Sequence, residues 1–263
     1  MKRCLTIAGS DSGGGAGIQA DLKTFGALGV YGTSAVTAVT AQNTLIVRQI
    51  QEIRPELVAA QIDTVAEDIG IDAAKTGMLW SAETIRTVAA AVKRHRIPNL
   101  VVDPVTIAKT GARLMREDAF AALKADLLPL AEFVTPNLPE AEMLSGMKIT
   151  DAEGMREAAR RTHALGPRRV VIKGGHVEGP NAVDLYYDGR DFQELKEVRI
   201  KTRSTHGTGC TFSAAIAAYL AHGLTPLDAV ARAKEFLTAA LRSAPDIGKG
   251  VGPLDHFHAL RKA

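Results

Sequence analysis

Short apolar runs alternate along this chain with longer segments whose apolar residues recur at helical spacing. The runs occupy residues 5–8, 33–39, 73–76, 100–103, 132–135 and 170–173. Helical spacing fills 18–28, 56–67, 82–95, 117–128 and 152–165 between them. Such alternation predicts an α/β fold, with a mostly parallel sheet covered by helices on both faces. The runs are continuously apolar, as strands buried on both faces are. Past Lys173, residues 183–187 and 194–201 flank Asp188-Gly189-Arg190, a hairpin signal. Helices are then expected over 208–222, over 226–243 and from Leu254 onward. No repeat, low-complexity tract or linker interrupts the chain, so one domain over 1–263 is expected.

Most of these strands run into something reactive or flexible. Residues 5–8 lead into Gly9-Ser10-Asp11, 73–76 into Gly77-Met78, and 100–102 into Asp103-Pro104-Val105. Val134-Thr135 leads into Pro136-Asn137, and Val171-Ile172 into Lys173-Gly174-Gly175-His176. Open α/β sheets bind ligands at the carboxyl ends of their strands, so these turns are expected to line one cleft.

Composition narrows the partners. The formal net charge is +3, and Lys93-Arg94-His95-Arg96, the densest basic cluster, fits the solvated C-terminal end of a helix. No basic run tracks a nucleic-acid backbone, so no nucleic-acid partner is expected. Two cysteines, Cys4 and Cys210, make no disulfide framework and suit a reducing compartment. Met1-Lys2-Arg3 enters the first strand at once, and no segment has the length of a membrane span. A cytoplasmic protein with no membrane partner is expected.

Thr205-His206-Gly207-Thr208-Gly209-Cys210-Thr211 is the segment richest in chemistry. Its glycines and threonines run into an Ala-rich helix, and a helix N-terminus offers unpaired amides and a positive dipole to an anion. A thiol there tends toward a lowered pKa, so Cys210 is expected as a thiolate or proton acceptor. An anion pocket beside a base suits phosphoryl transfer to a hydroxyl. Neither G-x-G-x-x-G nor a P-loop is present.

Other motifs read two ways. Asp11-Ser12-Gly13-Gly14-Gly15-Ala16-Gly17 is a strand-to-helix turn, or a loop whose amides hold a phosphate. Asn137-Leu138-Pro139-Glu140 fits a helix capping box; equally, Glu140 with Asp103 suits Mg2+ beside phosphates. Lys173 steadies a phosphate or snorkels from a sheet end. Gln42 offers an amide to an aminopyrimidine edge, or is a polar turn residue. His206 fits a packing or loop-shaping residue, and His256 and His258 show no metal constellation.

Taken in order along the chain, these residues resemble the hydroxymethylpyrimidine/phosphomethylpyrimidine kinases of thiamine biosynthesis, in the ribokinase-like superfamily. The resemblance is carried by Ile7-Ala8-Gly9-Ser10-Asp11, the stretch 14–24, Thr40-Ala41-Gln42-Asn43-Thr44, Lys75-Thr76-Gly77-Met78 and Asp103-Pro104-Val105. It continues through Thr135-Pro136-Asn137-Leu138-Pro139-Glu140-Ala141, Lys173-Gly174-Gly175-His176, the stretch 205–211, Gly252-Pro253-Leu254 and His256-Phe257-His258. It implies a three-layer α/β/α ribokinase-like fold, with ATP and Mg2+ as cofactors. The implied substrate is 4-amino-5-hydroxymethyl-2-methylpyrimidine, phosphorylated first to the monophosphate and then to the diphosphate. The implied pyrimidine site is Gly9, Asp21, Gln42, Met78 and Val105. Gly207, Gly209 and Cys210 would form the anion site, with Cys210 as base. Asp103 and Glu140 would serve magnesium; Lys173, Thr205 and Asn137 would attend the nucleotide. A homodimer is expected by the same analogy.

Cysteine at position 210 separates this chain from sugar kinases of the superfamily, which typically place Asp there. Two departures touch loops expected to handle phosphate. Ser12-Gly13 stands where the family often has Pro-Ser, and Ser204 where Asn often precedes Thr-His-Gly. A pyridoxal or pyridoxine kinase of the same fold is the alternative enzyme. A silent pyrimidine-binding sensor is the alternative of another class, against which the joint presence of Cys210, Asp103, Glu140 and Lys173 argues.

Overall fold

A computed structural model describes residues 1–107, 111, 114–174 and 179–260. Its strands are β1 (Arg3–Asp11), β2 (Tyr31–Gln42), β3 (Val47–Glu52), β4 (Ala73–Thr76), β5 (Leu100–Val102), β6 (Phe133–Val134), β7 (Arg169–Ile172), β8 (Asn181–Tyr187) and β9 (Phe192–Val198). They form one sheet in the order β3-β2-β1-β4-β5-β6-β7-β8-β9. The ladder is parallel from β2 through β7. Its two ends are antiparallel, through β3 on one side and the β8–β9 hairpin on the other.

The helices are α1 (Gly17–Ala27), α2 (Pro55–Asp68), α3 (Ala82–His95), α4 (Ala119–Ala122), α5 (Leu138–Ser145), α6 (Ala152–His163), α7 (Thr208–Ala221) and α8 (Pro226–Arg242). Two apolar clusters place them in layers. Ile62, Ile85, Leu144 and Ala159 of α2, α3, α5 and α6 pack with Leu5 and Ile7 of β1. Phe25, Phe212 and Phe236 of α1, α7 and α8 pack with Cys4 and Val101. Leu5 and Cys4 go to opposite clusters because successive strand residues face opposite ways. The result is the expected three-layer α/β/α architecture. No helix among the described residues is long and apolar enough to cross a membrane.

Three segments differ from the sequence expectation. Strand β3 was not anticipated; Val47-Arg48-Gln49-Ile50-Gln51-Glu52 is largely polar because it is an edge strand with much of its surface in water. The helix expected over 117–128 divides into α4, one wide turn over Leu123–Leu127 and one tight turn over Leu128–Leu130, which contains Pro129. The helix expected from Leu254 does not form over the described residues 254–260. That segment is pinned along α8 by Asp255 N donating to Ala240 O at 3.2 Å, and it continues in turns.

The ladder runs one step past the strand ends and aligns the residues beyond them. Asp103 N donates to Thr76 O (3.0 Å), Thr135 N to Val102 O (3.0 Å) and Lys173 N to Pro136 O (2.8 Å). Phe133, with no exposed surface, anchors the middle of this edge and packs 6.2 Å from the Tyr186 ring. Phe133→Ala is expected to lower the unfolding free energy by about 3–5 kcal/mol. Urea denaturation checks this; a loss below about 1 kcal/mol would show that the site collapses around the cavity.

Candidate active site

At the carboxyl ends of the parallel strands lies a cleft of about 560 Å3. The N-terminus of α7 opens into it. Gly207 caps that helix with φ +85°, and a Cβ there would stand 1.9 Å from Gly15 O. Only glycine fits. The first helical bond runs from Thr211 N to Gly207 O (2.8 Å), so the Gly209 and Cys210 amides precede the intrahelical ladder. Amides at such a helix end are placed to suit an anion.

Cys210 sits in the first turn and lines the cleft, but its thiol is not shifted as the helix dipole alone suggests. Burial pushes it up to about 11; Lys75 opposes this, Asp21 and Asp103 add to it, and the Gly17 amide opposes it. A low-dielectric setting with two carboxylates outweighs one helix end. The resting thiol is therefore protonated at neutral pH, and the thiolate becomes the majority only above about 11.

Of the two readings of the glycine loop, the geometry favours the strand-to-helix turn over the phosphate loop. The Asp11 carboxylate accepts from Gly13 N (2.8 Å), Gly15 N (3.1 Å) and Ala16 N (2.9 Å), and Gly14 N bonds Asp11 O (2.9 Å). These four amides are spent inside the loop, so they do not form a phosphate cradle. His206 Nε2 meets the same carboxylate at 2.8 Å. Burial would raise Asp11, yet the His206 contact and the loop amides together hold it below the ordinary carboxylate value. His206 shapes the loop, as the sequence suggests.

Beneath the cleft, Lys75 pairs with Asp21 through both carboxylate oxygens (3.0 and 2.9 Å), and neither residue has exposed surface. Thr6 Oγ1 donates to Asp21 Oδ2 at 2.6 Å. Thr6 and Lys75 are register partners, so both side chains face the α1 layer that carries Asp21. Burial alone would lower the Lys75 ammonium, but Asp21, Cys210 and Asp103 hold it above the ordinary value. A Cβ on Gly77 would come within 2.9 Å of Lys75 Nζ, so glycine there leaves room for the ammonium.

At the other side of α7, Lys173 Nζ meets Asp103 Oδ1 at 2.8 Å. A Cβ on Gly209 would lie 3.3 Å from both Lys173 Nζ and Asp103 Oδ2. The close passage of α7 over this ion pair therefore favours glycine. Glu140 completes a capping box: it donates its amide to Asn137 Oδ1 (2.9 Å), and its own carboxylate accepts from Asn137 N (2.8 Å) and from the Thr106 amide. Burial raises Glu140, Lys173 lowers it and Asp103 raises it, leaving it at about 7. Among the described residues, no group of three or more His, Cys, Asp or Glu gathers as a metal-binding set.

Gly9, Gln42, Met78, Val105, Asp103, Asn137, Glu140, Lys173, Thr205, Gly207, Gly209 and Cys210 all line the cleft. Asp21 is not among the lining residues; it lies behind Lys75, and its contact is with that ammonium. Gly175 and His176 of the Lys173-Gly174-Gly175-His176 motif fall outside the described residues. The two family departures lie off the anion-facing helix end: Ser12 Oγ donates to Gln42 O (2.8 Å), and Ser204 Oγ to Pro245 O (3.1 Å). Sequence reasoning missed Lys75, and also the far end of the cleft, lined by Val198, Ile200, Lys234, Leu237 and Leu241. There Lys234 Nζ meets Asp184 Oδ2 (2.7 Å), whose other oxygen accepts from Gly174 N (2.9 Å). Helical spacing of Lys234, Leu237 and Leu241 was the available signal.

The Cys210 assignment is open to direct titration. Alkylation of Cys210 by iodoacetamide, resolved by mass, should be slow at neutral pH and keep climbing about tenfold per pH unit toward 11. Cys4, pushed up to about 12 and without exposed surface, should not compete. A plateau near the ordinary thiol value of about 8.5 would contradict the assignment.

Comparison with known proteins places this geometry. The family model for phosphomethylpyrimidine kinase matches residues 11–255. The chain is 54% identical to the thiamine biosynthesis bifunctional protein ThiED of Geobacter sulfurreducens over 97% of its own length, and it spans 52% of that relative. It is 51% identical to a hydroxymethylpyrimidine/phosphomethylpyrimidine kinase of Rhizobium meliloti, with 97% of this chain and 96% of that one covered. A crystal structure of an ADP complex of Bacillus subtilis pyridoxal kinase superposes with a TM-score of 0.91 at 44% identity, covering 100% of both chains. Such a match supports the ribokinase-like fold expected from the sequence. The chain is a kinase and belongs to the phosphomethylpyrimidine kinase family.

Proposed function

We propose that this chain transfers the γ-phosphoryl group of ATP to the hydroxymethyl of 4-amino-5-hydroxymethyl-2-methylpyrimidine, and then a second phosphoryl to the monophosphate. The observation that carries the reading is the α7 N-terminus: unpaired amides and the Cys210 thiol face the same cleft as the Asp103–Lys173 pair. The amides of Gly209 and Cys210 stabilise the charge that develops on the transferring group. Lys173 and Thr205 attend the nucleotide phosphates, with Asn137 beside them. The apolar far end at Val198, Leu237 and Leu241 suits a purine ring. Gly9, Gln42, Met78 and Val105 surround the pyrimidine, and Asp21 acts on that site through Lys75.

Cys210 takes the hydroxyl proton. Its thiol rests protonated, so the reacting form is a minority thiolate that the Lys75 ammonium favours. That base is needed late, because the transition state is loose and the hydroxyl turns acidic only as its bond to phosphorus forms.

Asp103 and Glu140 are the residues that would hold Mg2+. Glu140, a buried carboxylate whose ionisation Asp103 makes costlier, suits a hard dication, which needs only one or two protein carboxylates beside substrate phosphates. When bound, it neutralises phosphate charge. Glu140→Gln preserves the capping acceptor but removes the charge. It should leave thermal stability nearly unchanged while raising the Mg2+ concentration for half-maximal rate by about tenfold or more. An unchanged Mg2+ titration would assign Glu140 to capping alone.

We further propose a cytoplasmic homodimer. The unpaired edge of β3, with Val39, Leu45 and Ile46 exposed nearby, supports a second copy.

The full-length likeness to a pyridoxal kinase favours one second reading, pyridoxal phosphorylation. A coupled ADP-release assay with MgATP and each substrate, with products resolved by mass, decides. Mono- and diphosphate from the pyrimidine are expected, with kcat/KM above that for pyridoxal. A higher kcat/KM for pyridoxal would reverse the ranking, and ligand binding without ADP release would overturn catalysis altogether.

A further inference from the structure

The motifs Gly252-Pro253-Leu254 and His256-Phe257-His258 lie outside the cleft lining, yet they run beside it. After α8 the chain returns past two parts of the site. Val251 N donates to Thr44 O (2.9 Å) and Gly250 N to Thr44 Oγ1 (3.2 Å), in the turn that follows Gln42. His206 N donates to Gly252 O (2.9 Å), just ahead of α7. The fit is close. A Cβ on Gly250 would stand 2.1 Å from Thr44 O, and one on Gly252 2.6 Å from Ser204 Oγ.

This strap ends on α7 itself. His256 is 3% exposed, and its Nε2 lies 2.9 Å from Thr211 Oγ1, which belongs to a residue with no exposed surface. Thr211 follows Cys210, and its amide makes the first intrahelical bond of α7, to Gly207 O. The ring is held on both sides. Asp255 N donates to Ala240 O at 3.2 Å, and the His258 ring packs 5.0 Å from the Phe236 ring, both on α8.

The first turn needs such an anchor. It starts from Gly207 and contains Gly209, and glycine brings backbone freedom to a helix end that already lacks intrahelical partners. Burial pushes His256 down to about 4; Lys23 and His258 lower it further and Asp255 opposes them. The ring is therefore neutral at neutral pH. It gives Thr211 a fixed hydrogen bond and puts no charge beside Cys210.

We propose that His256 is a positioning residue: through the Thr211 hydroxyl it fixes the first turn of α7, and with it the Gly209 and Cys210 amides and the Cys210 thiol, against the pyrimidine side of the cleft. That the fixed turn serves phosphoryl transfer rests on the kinase reading above. A displacement of the order of 1 Å in a catalytic group can cost about a hundredfold in rate, so the anchor acts on kcat more than on binding.

The test pairs His256 with Thr211. In His256→Ala, kcat should fall about tenfold or more, with KM for the pyrimidine and for ATP within about threefold. His256→Gln, which returns a hydrogen-bonding group near Nε2, should restore kcat to within about threefold. Thr211→Val removes the bond from the other side and should reproduce the loss. The double variant should lose no more than about twofold beyond either single one. A purely structural His256 would lower Tm and leave kcat of the folded enzyme unmoved, which would overturn the proposal, as would losses that multiply in the double variant. Should His256→Ala fail to fold, Thr211→Val decides, and a normal kcat there overturns the proposal.

A second readout needs no substrate. With its first turn released, α7 should admit reagent to Cys210, so iodoacetamide at fixed pH should alkylate it at least about fivefold faster in His256→Ala or Thr211→Val. An unchanged rate overturns the proposal. An unaltered enzyme that phosphorylates neither pyrimidine overturns the kinase reading instead, and the alkylation rates then stand as the test of the anchor.

Discussion

Two opposite charges with no exposure to solvent, Asp21 and Lys75, underlie the cleft at the carboxyl end of the sheet. Burying them costs several kcal/mol per ion, and only close geometry with further hydrogen bonds offsets that cost. The structure supplies both. The β1–β4 register sets Thr6 beside Lys75, helix α1 lowers Asp21 onto them, and Gly77 clears the space above. Removing either partner would strand a buried charge at a cost of about 3–5 kcal/mol. The pair also matters chemically, since Lys75 is the cation that offsets the burial of the Cys210 thiol. Fold and reactivity thus meet in one interaction, and a substitution at Asp21 would act on Cys210 without touching it.

Asp11 divides the remaining labour. Two segments of this chain look suited to an anion, the glycine loop and the N-terminus of α7. An internal carboxylate already occupies the first, which leaves the second to face the cleft. The loop then serves as a buttress: its amides grip Asp11, Asp11 grips His206, and the Gly17 amide turns toward Cys210. Glycines are needed there for close approach, not for phosphate. At Gly17 a Cβ would stand 2.2 Å from Gly9 O, which ties the loop to the end of β1.

Much of this was legible in the sequence, for reasons that differ by element. The parallel strands were clear because burial on both faces leaves continuous apolar runs, and α3 was clear because its apolar residues recur at helical spacing and the basic Lys93-Arg94-His95 mark its C-terminal end. The edge strand β3 was hidden because a solvated edge relaxes the apolar pattern. The C-terminal segment mimics a helix start but is held by tertiary contacts to α8 that no local pattern encodes. Within the site, strand-end residues such as Asp103 and Lys173 were legible from their position. Lys75 was not, since a lysine inside an apolar run gives no sign of a partner 54 residues away. The thiol was misjudged in direction because a local helix-end rule omits burial and two distant carboxylates.

The central claim is that the α7 N-terminus and Cys210 carry the phosphoryl transfer, while the cleft around them binds the pyrimidine. Paired measurements on Cys210→Ala, turnover by ADP release and pyrimidine affinity by calorimetry, test it most directly. The account predicts kcat reduced by about a hundredfold or more, the usual scale for loss of a positioned base, with affinity changed by less than about threefold. Turnover close to that of the unaltered enzyme would remove Cys210 from proton transfer. Equal losses of affinity and rate would place it in binding instead.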